Sequence, residues 1–144
     1  MITAEQTKRQ KDLLPMMWGR FDKAIDSLAA MSTADEALLA ACVTLNPTFE
    51  QRTSTLGGGL IEMTASTNVV LAVTNQRVIV VATGIGGAPR DHIDISFDGL
   101  EIVKHDKREI TLRWPAGVAT FRGAAKPMLP PLVDALTAQL RAPG

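Results

Sequence analysis

The chain has one cysteine, two histidines and no excess charge of either sign. Each shortage excludes something. Cys42 has no internal partner, so no disulfide frames the fold. It sits in the apolar run Ala37–Val43 with no basic neighbour in sequence to activate a thiolate, and reads as a small buried hydrophobe. Fifteen Lys and Arg balance fifteen Asp and Glu. Such a chain has no overall attraction for nucleic acid or an anionic membrane. No apolar run is long enough to span a bilayer. Met1 to Asp12 is polar and charged and lacks the apolar core of a secretory signal, so a cytoplasmic location is expected.

Catalytic and metal signatures are also lacking. Gly57–Gly59 and Gly84–Gly87 match neither the dinucleotide nor the Walker pattern and read as flexible loops. Asp91-His92-x-Asp94 places a histidine beside two carboxylates, the raw material of a metal site or a general base. The second histidine, His105, lies far along the chain and no third ligand is committed. The expectation is a chain with no metal, no cofactor and no catalytic residue.

What is present is a globular composition, 46% hydrophobic and 21% charged over 144 residues, enough for one domain with a sizeable core. Val69–Val81 holds two short β-branched runs around Thr74-Asn75-Gln76-Arg77. Runs this short and this rich in strand formers predict a hairpin, and Asn75 suits its turn. Ala37–Leu45 predicts a strand stopped by Asn46-Pro47. Thr48–Gly59 reads as a loop or weak edge strand, and Leu60–Ala65 as the start of the next strand, resuming at Val69. Ile93–Phe97 and Leu100–Lys104 flank the turn dipeptide Asp98-Gly99. Ile110–Trp114 and Val118–Phe121 flank Pro115-Ala116-Gly117. Strands at this spacing predict an all-β barrel or sandwich, with seven strands in all.

Helices bracket the strands. Thr3–Met31 is predicted helical, opened by a Thr3–Gln6 capping box and kinked at Pro15. Leu14, Met17, Phe21, Ala24, Leu28 and Met31 recur every three or four residues as one apolar stripe, widened by Trp18 and Ile25. At the other end Pro130-Pro131 fits a helix start, and Leu132, Val133, Leu136 and Leu140 form an apolar face over Pro131–Arg141. The organisation is therefore an N-terminal amphipathic helix and linker over 1–35, followed by a β-domain with its helix over 36–144.

Leu71-Ala72-Val73-Thr74-Asn75-Gln76-Arg77-Val78-Ile79-Val80, then Ile93-Asp94-Ile95-Ser96, then the hairpin Ile110–Phe121 and the final helix resemble, in this order, the bacterial pleckstrin-homology-like domains, which share their fold with GRAM domains. The resemblance spans about Ala37–Arg141. It implies a mainly β, partly open barrel of two near-orthogonal antiparallel sheets with a C-terminal capping helix; the N-terminal helix is an addition. It implies a non-catalytic binding or assembly module. Eukaryotic relatives bind phosphoinositides through basic residues near the first strands. Here Arg52 is the only basic residue between Ala24 and Gln76, so phosphoinositide binding is not expected.

The best contact candidates are on the N-terminal stripe: Met17, Trp18, Phe21 and Ile25, with Met16 beside them. They either pack on the protein's own barrel or bind a protein partner, which includes a second copy. Six stripe residues left exposed would form a patch that monomers rarely tolerate, so a homo-oligomer is one expectation. Two alternatives stand beside this one: a small-molecule or lipid carrier using the barrel interior, and a membrane-surface adaptor. The helix carries five basic residues against four acidic ones, a poor charge for an anionic membrane.

Overall fold

The computed structural model describes residues 1–51 and 68–141. Among them, seven antiparallel strands form one sheet in the order β4-β3-β2-β1-β7-β6-β5. The strands are β1 (Leu38–Gln51), β2 (Asn68–Thr74), β3 (Arg77–Thr83), β4 (Pro89–Ser96), β5 (Glu101–His105), β6 (Ile110–Trp114) and β7 (Gly117–Arg122). Two helices precede them, α1 (Ala4–Lys11) and α2 (Asp22–Met31), linked through a 3-10 helix at Met16–Phe21; α3 (Leu129–Arg141) closes the chain. The expected loop at Gly57–Gly59, the expected strand start at Leu60–Ala65, and Arg52 lie outside the described residues.

Strand β1 joins two half-sheets. It pairs with β2 from Leu38 to Leu45 and with β7 from Leu45 to Gln51. The expected stop at Asn46-Pro47 is corrected, because the strand runs through it. Pro47 falls in a register shift between Leu45 and Thr48, a place where a proline's missing donor breaks no ladder bond. The sheet is open between its outer strands β4 and β5, with helices at both ends of the sequence packed on it. This is a mainly β fold with flanking helices, consistent with a PH-like partly open barrel.

The N-terminal segment is not one kinked helix. The capping box at Thr3 and Gln6 forms as expected, but α1 ends at Lys11. Pro15 is extended, with φ −58° and ψ 155°, so the chain leaves the helical conformation altogether before re-entering it. At the other end α3 begins at Leu129, two residues earlier than expected, with both prolines in its donor-free first turn.

Helices α1 and α2 pack on β1 and β4, and α3 packs on β1 and β2. Strands β2 and β3 are buried at every position after their first. The Arg77 guanidinium donates to the Met31 carbonyl at the end of α2, at 2.8 Å. Alternation then puts Ile79 and Val81, with their cross-strand partners Ala72 and Val70, on the face under the N-terminal helices. The opposite set, including Cys42, Leu71 and Val80, faces the interior beneath α3. Phe21, Ile25, Leu28, Phe121, Met128 and Leu136 all belong to one continuous core.

Candidate functional site

Two clusters carry the chemistry. The first is the corner where the hairpin turn meets the linker into β1. The Arg77 guanidinium grips Glu36 with two hydrogen bonds, both 2.9 Å, and reaches Asp94 at 2.8 Å. Thr74 Oγ1 donates to Glu36 at 2.6 Å and accepts from the Gln76 and Arg77 amides. Asn75 binds the linker from both sides, accepting from the Ala37 amide and donating to the Asp35 carbonyl. The Thr-Asn-Gln-Arg segment is therefore a clasp. It needs a hydroxyl that both donates and accepts, an amide that bridges backbone, and a planar fork for a carboxylate.

Burial pushes the Glu36 carboxyl up, but the hydrogen bonds from Arg77, Thr74 and the Thr33 amide outweigh it and hold the group below its ordinary 4.5. Its hydrogen bond to Glu36 raises the pKa of Arg77 further. A guanidinium committed on all sides to Glu36, Asp94 and Met31 has no free fork for a ligand. Arg77 therefore pairs with carboxylates of its own chain. His92 lies 3.7 Å from Asp94 at the clasp's rim. Among the described residues no three His, Cys, Asp or Glu side chains gather as metal ligands. Cys42 is buried, and that burial pushes its thiol up to about 12, so it is no nucleophile at neutral pH.

The second cluster is a knuckle formed by the 3-10 helix. Met16 and Met17 stand side by side at 97% and 81% exposure. Trp18 is half-buried and meets Phe21 edge-on, with ring centroids 6.2 Å apart. Arg20 lies 4.6 Å from the Phe21 centroid and donates to the Met17 carbonyl. The turn Ile85–Gly87 supports the knuckle from below. Gly87 has φ +82°, and a side chain there would collide with the Arg20 carbonyl. Beside the knuckle, Pro15 and Trp18 line a hollow of about 340 Å³ whose other wall carries Arg108, Lys126 and Pro127.

No family model matches this sequence, and no curated protein matches it. One solved structure similar to it is titled "The hSac2 domain from human phosphoinositide phosphatase Sac2". The match covers 91% of this chain and 86% of that one, with a TM-score of 0.49 and 16% identity. A likeness of that size carries no functional statement.

The four stripe candidates separate. Phe21 and Ile25 are fully buried and Leu28 with them, because the two-sided strands beneath require cover. Of the two alternatives, packing on the protein's own barrel holds for Phe21, Ile25 and Leu28, so the six do not form one exposed patch; what stays outward is a knuckle of Met16 and Met17 with half-buried Trp18. The residues not singled out from the sequence are Glu36, Arg108 and Lys126. Glu36 carried a signal only as the carboxylate nearest in sequence to a strand start. The two cations carried none, since the fold alone brings them to Trp18.

Proposed function

We propose that the protein is a non-catalytic, PH-like binding module that engages another protein through the knuckle Pro15–Trp18. The observation that carries this is the exposure of Met16 and Met17 on a short, supported turn. Folding leaves two adaptable apolar side chains in water while burying Phe21 and Ile25 in the same segment. Methionines of this kind are suited to contact surfaces because they mould to a partner. The outer strands are poor assembly edges by comparison. Strand β4 begins with Pro89 and carries Arg90, Asp91, His92 and Asp94, and β5 carries Glu101, Lys104 and His105, which are features that discourage edge pairing. The carrier alternative has less support, because Phe121, Leu112, Met128, Leu132 and Leu136 fill the core under α3.

A photo-crosslinking residue at position 17, compared in cells with one at position 120 on the polar outer face of β7, tests this reading. A discrete adduct from position 17 alone is expected; an adduct of twice the chain mass identifies a second copy as the partner. No adduct, or the same adducts from both positions, contradicts it.

A further inference from the structure

We infer that the cleft beside the knuckle binds an extended acidic peptide segment bearing apolar side chains. Two hollows share the same two walls. One wall is the β5–β6 loop, which gives Arg108 to the 340 Å³ hollow at Trp18 and His105 to Lys107 to a neighbouring hollow of about 420 Å³. The other wall is the segment leading into α3, which gives Ala124 to Pro127 to the first hollow and Leu129, Pro130 and Val133 to the second. The Ala124 amide donates to the Arg108 carbonyl at 2.9 Å and ties together the two walls of the hollow at Trp18. Two apolar hollows lined by adjoining residues of the same two segments suit the alternate side chains of an extended chain, which project to one face every second residue.

Charge selects the sign of that chain. Arg108, Lys126 and Lys107 stand on the cleft walls, and none of them has a carboxylate partner among the described residues. The two acidic groups of the lining, Asp106 and Asp134, both belong to the second hollow, while the hollow at Trp18 carries Arg108 and Lys126 and no carboxylate, so the positive end of the cleft is at the knuckle. Lys104 and Arg122 pair with Glu109, Arg113 with Glu101 and Lys11 with Asp26, so the cleft cations are the unpaired ones of this side of the molecule, with Arg20, Lys23, Arg90 and Arg141 unpaired elsewhere among the described residues. The unpaired cations near the knuckle therefore favour an anionic partner. They disfavour a second copy docked through this face, which would meet its own cations. Elongation and apolar lining favour a peptide over a lone anion.

This inference rests on the binding-module reading, and its test is separable from that reading. The probe is a fluorescein-labelled octapeptide of alternating leucine and glutamate, followed by anisotropy at low and physiological salt, with the leucine–lysine octapeptide as control. Wild type is expected to bind the acidic peptide at least about tenfold more tightly than the basic one. Arg108→Glu with Lys126→Glu should lose about tenfold or more for the acidic peptide and gain for the basic one, a reversal that unfolding does not produce. Equal binding of both peptides by wild type, no binding of the acidic one, or no change in the double variant overturns the inference. Crosslinking at position 17 with peptide binding absent would sink the cleft alone; peptide binding with no crosslink would sink the knuckle alone.

Discussion

The two half-sheets on either side of β1 obey different rules. In β2 and β3 every residue after the first is buried, because helices cover one face and the barrel interior the other. In β6 and β7 the two faces differ in kind, an apolar inward face and a polar, mostly half-buried outer one. Ile110, Leu112, Ala119 and Phe121 point inward, while Thr111 meets Thr120 through a 3.0 Å hydroxyl bond and Arg113 pairs with Glu101 on the outer face. An unbroken apolar strand needs cover on both sides, and an alternating one does not. The N-terminal helices are therefore structural parts of the first half-sheet, and only their 3-10 link is free to act outward.

The sharpest way to break this comparison is to put a charge under the covered half. Ile25→Asp should unfold the protein, since an unpaired carboxylate in a dry core costs well over about 4 kcal/mol; circular dichroism would show loss of both helix and strand. A folded variant with an altered oligomeric state would mean the helix packs elsewhere. Next comes the clasp that holds the linker to the hairpin. Glu36→Ala removes one partner of a buried pair and should cost about 3–5 kcal/mol in urea unfolding, with Glu36→Gln costing less. Glu36 has a lowered pKa in the folded state, so its contribution is complete at neutral pH. It fades as the pH falls below the ordinary 4.5 through the lower folded value. The wild type should lose stability across that acid range more steeply than Glu36→Gln.

Smaller effects sharpen the contrast. Gly87→Ala forces a side chain against the Arg20 carbonyl in a left-handed conformation and should cost about 1–3 kcal/mol, read as a lower thermal midpoint. On the outer face of the other half-sheet, Thr120→Ala should cost only about 0.2–1 kcal/mol by the same assay.

Much of the fold was legible in residues. The hairpin of Val69–Val81 and the turn at Asp98-Gly99 were visible in β-branched runs and turn chemistry, and the final helix in its leucine spacing. The run through Asn46-Pro47 was not, because a proline at a register shift reads the same as one at a strand end. The break at Pro15 was underestimated, since the apolar spacing of Leu14, Met17 and Phe21 persists across a non-helical link. The site was only half legible. Met17 and Trp18 stood out by bulk, but burial of Phe21 and Ile25 follows from strands that need a second cover, a demand visible in Val69–Val73 and Val78–Ala82 only when their missing alternation is weighed. Arg108 and Lys126 join Trp18 through tertiary structure alone.

Phe21 and Met17 lie four residues apart on the same segment, one on each side of this boundary. Chemical denaturation of Phe21→Ala and Met17→Ala, measured side by side, tests the central claim most directly. Phe21→Ala should lose about 3–5 kcal/mol, while Met17→Ala should stay within about 0.5 kcal/mol of wild type. Equal and small losses would contradict the account, because they would place Phe21 outside the protein's own core.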